Sequence, residues 1–348
     1  MRNVIFNTPI IILIVVLSLG IGCDNASKKD ADNGDNGEAS TTTEDKNTSE
    51  RQFLSVGTAP LQGAFHQVGS AIADVVNRNI KEKDWVVTAE GTKGTQQNIR
   101  LLVEEDSTLE FGMANAAISY FAVRGEGAWK TEQPIRAVVT LAPNVALFVT
   151  QKSSGIQSMQ ELKGKRVVVG PAGAGFEYFL KPVFEEHGLT YDDFTDLNGS
   201  YGDAVDMLAN GSADAAFMGG AHPISAVRQA ISSQDIVFIP FEEAALKSLF
   251  EKYPFFNAVT ISANTYDKIQ KEAFSSVNVG SMHLITAENA DEDMVYHFTK
   301  TLYTHRAEVV DAHPAGKAIN EKNAVKDVGT PFHPGAVRFY KEIGIWIE

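Results

Sequence analysis

The chain has 348 residues, with 44 Asp or Glu against 30 Lys or Arg, and a net charge of −14. That length predicts two domains or one large one. The acidic balance excludes a nucleic-acid surface, whose phosphates need basic partners, and polybasic attachment to acidic lipid. It leaves room for a pocket made locally electropositive by backbone N–H groups.

Arg2 supplies a short positive region. Residues 5–22 are mostly apolar, interrupted by Asn7-Thr8-Pro9, and end in small residues, the anatomy of an export signal. The clean apolar run after Pro9 is shorter than the ~20 residues of a spanning helix. Cys23, the single cysteine, follows directly and cannot form an internal disulfide. Leu19-Gly20-Ile21-Gly22-Cys23 resembles the lipobox of bacterial lipoproteins, with Gly20 where leucine is usual. The resemblance implies a signal peptide over residues 1–22, cleavage before Cys23 and lipidation of Cys23; the alternative is an uncleaved anchor. Asp24 resembles the inner-membrane retention signal of Gram-negative lipoproteins. The expected location is the periplasmic face of the cytoplasmic membrane, held there by the lipid alone. Residues 24–50 are polar and acidic with almost no large apolar side chain, so they predict a flexible tether.

The body begins near Gln52. Residues 53–57 predict a buried strand ending in a glycine turn, residues 58–64 a loop, and residues 68–79 a helix with Val68, Ile72, Val75 and Val76 on one face. Residues 85–89 form a second expected strand, 91–95 a loop, 96–103 a helix, and 109–114 a third strand entering Asn115 and a short helix. Strands at 135–141 and 145–150 are separated by Pro143. A strand at 166–170, the loop 171–175 and a helix to His187 follow. Then come a helix at 201–210 capped by Gly211, a strand at 213–218, a helix at 223–232, a strand at 236–239, a strand at 279–286 and a helix at 291–305. Repeated strand, loop and helix predict an α/β fold with substantial parallel pairing.

In such sheets ligands sit beyond the carboxyl ends of strands. The loops expected there are 57–63, 91–95, 113–117, 171–175 and 219–222. They carry glycine and small hydroxyl residues that leave N–H groups accessible. Helix N-termini add partial positive charge, so these loops suit a carboxylate or phosphate. Two such units facing each other across a hinge would form a closing clamp.

Other chemistries lack their patterns. Pro171-Ala172-Gly173-Ala174-Gly175 has neither the Gly-Lys-Ser/Thr ending of a phosphate loop nor dinucleotide spacing. His66, His222, His283, His297, His305, His313 and His333 are scattered without metal-ligand spacing. No Gly-x-Ser-x-Gly elbow and no sequence-local acid–base pair is present. No cofactor, metal or catalysed reaction is expected. Phe65 is either a staple against its helix or a pocket residue, and His66 lines the pocket on the functional reading. Lys93 is either a solvated loop lysine or the cation facing a ligand carboxylate.

Val56-Gly57-Thr58, Gly91-Thr92-Lys93-Gly94-Thr95, Asn98-Ile99-Arg100-Leu101-Leu102, Leu162-Lys163-Gly164-Lys165-Arg166-Val167, Val169-Gly170-Pro171-Ala172-Gly173-Ala174-Gly175, Asn210-Gly211-Ser212-Ala213-Asp214-Ala215, Tyr253-Pro254-Phe255-Phe256 and His333-Pro334-Gly335-Ala336 occur in this order. Together they resemble the TAXI-type solute-binding subunits of tripartite ATP-independent periplasmic (TRAP) transporters over about residues 53–345. The resemblance implies an α/β, type II periplasmic-binding-protein fold of two lobes with a ligand cleft between them. It implies lobe 1 from residues 52–142 and 283–348 and lobe 2 from residues 143–282, after a linker over residues 23–51. The strands near 145–150 and 282–286 would be the hinge. A TRAP membrane permease would be the partner, and glutamate-like amino acids or dicarboxylates the family's ligands. The residues then expected to bind ligand are Gly57, Thr58, Phe65, His66, Thr92, Lys93, Gly94, Thr95, Asn115, Pro171, Gly173, Ala174, Gly175, Phe176, Gly219, Gly220 and His222.

The chain departs from that family at Phe65-His66-Gln67, which replaces a Tyr-Tyr-Pro run, and at Asn115, Ala117, Ala174 and Phe176. Loss of a carboxylate at Ala117 removes a partner for a ligand ammonium, and alanine and phenylalanine make the pocket less polar. The expected ligand is therefore a small organic anion without an α-amino group. A lipoprotein of the same fold that senses a ligand for a membrane receptor is the alternative, and an enzyme on this scaffold is disfavoured by the missing catalytic set.

Overall fold

The computed structural model describes residues 51–346 except 62, 267 and 268. The export segment, Cys23 and most of the tether lie outside the described residues. No helix among the described residues is long and apolar enough to cross a membrane.

Alternation of strand and helix opens the body as expected: β1 (Gln52–Gly57), α1 (Ala64–Asn79), β2 (Trp85–Glu90), α2 (Thr95–Val103), β3 (Phe111–Asn115), α3 (Ala116–Ala122) and β4 (Ile135–Thr140). The chain continues through β5 (Val145–Gln151), β6 (Arg166–Gly170), α4 (Glu177–Glu186), β7 (Thr195–Asn198), α5 (Tyr201–Ala209), β8 (Ala215–Gly220), α6 (Ser225–Ser233) and β9 (Ile236–Ile239). Next come α7 (Glu243–Lys252), β10 (Phe256–Ile261), β11 (Phe274–Val279), β12 (Met282–Ala287), α8 (Glu292–Thr304), α9 (Arg306–Ala312) and α10 (Pro334–Glu342).

The strands form two sheets. A five-stranded sheet has the order β2-β1-β3-β12-β4, with β1 parallel to β2 and β3 and β12 antiparallel to its neighbours. A seven-stranded sheet has the order β10-β11-β5-β8-β6-β7, with β9 also on β5. In it β6 is parallel to β7 and β8, while β5, β10 and β11 pair antiparallel. The chain passes from the first sheet to the second between β4 and β5 and returns between β11 and β12. The mixed α/β fold read from the sequence is therefore present, with more antiparallel pairing than the βα alternation suggested.

Three residue patterns build the core. Strands β3 and β8 are buried along their whole length and β5 along nearly all of it, as continuous apolar runs covered on both faces require. The apolar stripe of α1 packs with α8 and α10 on one face of the first sheet, joining Val68, Ile72 and Val76 to Phe298, Phe339 and Tyr340. A second core reaches from Ile99 and Ile118 on the first sheet's helices to Phe148, Phe179, Phe184 and Phe217 around the second sheet. Full burial of each such side chain contributes roughly 1.5–3 kcal/mol. Arg166, at the start of β6, holds Asp214 through Nη2 at 2.8 Å and Nε at 3.1 Å, which fixes the turn leading into β8.

Several boundaries differ from the sequence reading. Helix α1 starts at Ala64, after an extended Gly63, so Phe65 and His66 are helical rather than in a loop. The single strand expected at 279–286 is two strands in different sheets, because Gly280 turns the chain with φ +104°. The eighth strand runs to Gly220, two residues beyond the expected end. Strand β7, with sequence Thr-Asp-Leu-Asn and mostly exposed, lacks the apolar signal of a strand and was not expected.

Candidate functional site

A cavity of about 410 Å³ is lined by the segments that follow β1, β2 and β3 of the first sheet and β6, β7 and β8 of the second. These are the carboxyl ends of the parallel strands, where open α/β sheets hold ligands. Asn144, between β4 and β5, and His313, after α9, complete the wall.

Of the residues expected from sequence, Phe65, Lys93, Gly94, Thr95, Asn115, Pro171, Ala174, Phe176, Gly219 and Gly220 line this cavity. The remaining candidates do not. Gly57 is packed against Asn98 and Leu109 at the end of β1. Thr58 is fully buried, donates to the Glu90 carbonyl at 2.6 Å and lies 2.8 Å from His66 Nδ1. With the Thr58 hydroxyl proton on Glu90, His66 serves as the donor of that pair, and both sit behind the wall. Thr92 Oγ1 donates to the Thr58 carbonyl at 3.1 Å and accepts the Gly94 N–H at 3.0 Å, which shapes the turn. Gly173 is exposed outside the cavity. Gly175 is buried with φ +83°, and a side chain there would meet Ile118 at 3.1 Å. His222 Nδ1 pairs with Tyr266 Oη at 2.8 Å, its Nε2 is buried without a partner, and burial holds its pKa down at about 4. It stands behind the wall made by Ala221 and Pro223.

Three of the lining candidates have polar groups that are spent internally. Asn115 Oδ1 accepts from the N–H groups of Ala117 and Ile118, and Nδ2 donates to the carbonyls of Val279 and Gly280. Its amide is an N-cap and a strap, and it has no donor left for a guest. The N–H groups of Lys93 and Gly94 are taken by Gln97 Oε1 and Thr92 Oγ1.

Free donors remain on the wall. Helix α2 starts at Thr95, α5 at Tyr201 and α6 at Ser225, and all three residues line the cavity. First-turn N–H groups have no intrahelical acceptor, and helix N-termini carry partial positive charge. Ser200 and Asp203 form a capping box that fixes the start of α5. Thr95 Oγ1 accepts the Asn115 N–H at 2.9 Å, which leaves its own proton to donate. Tyr201 Oη accepts the Gly219 N–H at 2.9 Å and likewise keeps its proton. Burial pushes the Tyr201 phenol above its ordinary range, so it stays a neutral donor. Asn144 is 6% exposed, and its side-chain amide has no hydrogen-bond partner among the described residues. It lines the cavity, where a guest or water can meet its amide.

The charge on this wall is opposite to that of the molecule. The chain has 44 acidic residues, yet no described lining residue is Asp or Glu, and the lining cation is Lys93. The apolar part of the wall is Leu61, Phe65, Ile118, Phe176, Phe179 and Ile224. Phe176 packs on Phe179 and Phe217 with ring centroids 5.1 and 5.8 Å apart, which makes one side of the cavity aromatic.

Sequence reasoning missed Asn144, Tyr201, Ser225, Gln229 and His313. The Ser200-x-x-Asp203 pattern signals a helix start, so Tyr201 was findable. Asn144 and His313 carry no such mark, since their neighbours in space are far apart in sequence.

A structure of a Bordetella bronchiseptica RB50 protein is 14% identical, with 85% of this chain and 89% of that chain covered at a TM-score of 0.51. The alkanesulfonate-binding protein SsuA of Xanthomonas axonopodis pv. citri, solved with MOPS, is 15% identical over 83% of both chains at a TM-score of 0.48. The periplasmic aliphatic sulphonate-binding protein SsuA of Escherichia coli is 11% identical, covering 83% of this chain and 84% of that chain, at a TM-score of 0.45. The model of the NMT1-like family matches residues 56–344. With nearly all of the folded body inside that match, the chain belongs to the NMT1-like family.

Proposed function

We propose that this protein is an exported solute-binding lipoprotein that captures a small organic anion and hands it to a membrane permease of the TRAP type. One observation carries the capture step: helix starts and hydroxyl donors from both sheets face one cavity whose described wall has a lysine and no carboxylate. An oxyanion there meets Thr95, Tyr201 and first-turn N–H groups, and its apolar body meets Phe65, Ile118 and Phe176. An ammonium finds no negative partner on the described wall. The two sheets, with the helices packed on each, act as lobes that close over the guest by bending at the two crossings, 141–144 and 280–281. Delivery to a TRAP permease is supported by the ordered family motifs noted above, and the membrane link by the Cys23 segment.

Isothermal titration of the soluble body against carboxylates, dicarboxylates, sulfonates and amino acids tests the reading. Acids with apolar bodies should bind and raise the melting temperature by mass action. Tight binding of glutamate or a cationic amino acid, with no response to the acids, would overturn it.

A further inference from the structure

His313 is the imidazole on the cavity wall, contributed by the C-terminal part of the chain between α9 and the short turn Pro314–Ala318. The Ala315 N–H donates to His313 Nδ1 at 3.1 Å and so caps that turn. A ring nitrogen that accepts a backbone N–H presents its lone pair, which places the proton of the neutral ring on Nε2. Burial lowers the pKa of the ring and keeps it neutral. His313 Nε2 has no partner among the described residues and is not among the wholly enclosed polar atoms, so it meets open space.

We propose that His313 is a specificity-determining ligand contact, whose Nε2–H donates to an oxygen of the bound anion and rejects an ammonium at that position. The inference rests on the anion reading of the same cavity and adds a residue and a selection rule to it. A fixed donor is satisfied by an oxyanion or carbonyl oxygen. Faced with an ammonium, which has only donors, it is left unpaired and desolvated. The backbone capping bond supplies the rigidity, since it sets both the ring orientation and the tautomer.

Two variants separate the cap from the contact. In His313→Asn the side-chain oxygen still accepts the Ala315 N–H, but the distal donor is gone. In His313→Gln the side-chain nitrogen reaches the distal position, but the cap is lost. Octanesulfonate, octanoate and phenylalanine are the probes, titrated calorimetrically against wild type and both variants, with melting temperatures recorded alongside. The expected result is that His313→Asn keeps the wild-type melting temperature and binds the two acids about tenfold more weakly. His313→Gln should melt earlier and retain most of the affinity, and phenylalanine should bind wild type poorly. Wild-type affinity in His313→Asn would overturn the contact and leave the anion reading standing. Failure of both acids to bind the wild-type protein would overturn the anion reading and this contact with it.

Discussion

The side-chain amide of Asn115 donates to the carbonyl of Gly280 at 2.9 Å, tying the start of α3 to the crossing by which the chain returns to the first sheet. Gly280 has φ +104°, and a Cβ there would stand 2.5 Å from Asn115 Oδ1. Asn115→Ala removes an N-cap and two buried donors at once and should destabilise the protein by roughly 2–4 kcal/mol. Gly280→Ala should cost a similar amount through strain and steric conflict. Urea unfolding of the soluble body measures both, and an unchanged midpoint for Gly280→Ala would remove the coupling.

Tyr201→Phe removes the acceptor of the Gly219 N–H and a donor to the cavity. The expected outcome is about a tenfold loss of anion affinity with roughly 1–2 kcal/mol of stability. Calorimetry and thermal melts separate the two effects. A stability loss without any affinity loss would place the hydroxyl outside the binding contact.

Asn144→Asp puts a carboxylate into a wall that has none among its described residues. Affinity for a sulfonate should fall by about a hundredfold or more through like-charge repulsion and desolvation. Asn144→Ala should lose only about tenfold. Since a protonated Asp is neutral, the penalty in Asn144→Asp should shrink as the pH falls through the carboxylate range. A pH-independent penalty would point to shape rather than charge.

His283 is fully buried on β12, with Nε2 2.8 Å from Ser119 Oγ and Nδ1 unpaired, and burial holds its pKa down at about 3. A histidine whose folded pKa lies below its unfolded value contributes stability fully above pH ~6.5 and loses it as the pH falls toward the folded pKa. At pH 4 the loss is on the order of 3 kcal/mol. His222, held down at about 4 by burial, acts in the same direction. Stability measured from pH 7 to pH 4 should fall less steeply in His283→Gln than in wild type. Parallel slopes would show that the ring does not stay neutral through burial.

Much of the fold was legible because each strand and helix was encoded locally. Val68, Ile72 and Val76 recur on one face of α1, and Val167-Val168-Val169-Gly170 is a buried strand segment after a half-exposed Arg166. The strand-to-helix loops could be recognised from glycine and small hydroxyl residues, and Lys93, Gly94, Thr95 and Asn115 of the second and third loops line the cavity. Thr58, His66 and His222 were misplaced for a common reason. Each makes a hydrogen bond that holds it behind the wall: Thr58 to the Glu90 carbonyl and His222 to Tyr266, both distant in sequence, and His66 to Thr58, in the loop before its helix. Asn115 lines the cavity, but its amide nitrogen is consumed by the carbonyls of Val279 and Gly280, 164 and 165 residues onward.

By itself the sequence determined an α/β body and a set of strand ends rich in backbone donors, and it carries an apolar N-terminal segment from which export is proposed. It could do so because periodicity, turn chemistry and helix starts act between residues a few positions apart. Only the tertiary structure decided which donors remain free, that no described carboxylate reaches the cavity, and that Asn144 and His313 join its wall. Those facts depend on which groups are satisfied by partners far along the chain, and hydrogen-bond saturation in a buried site is a property of the packed molecule.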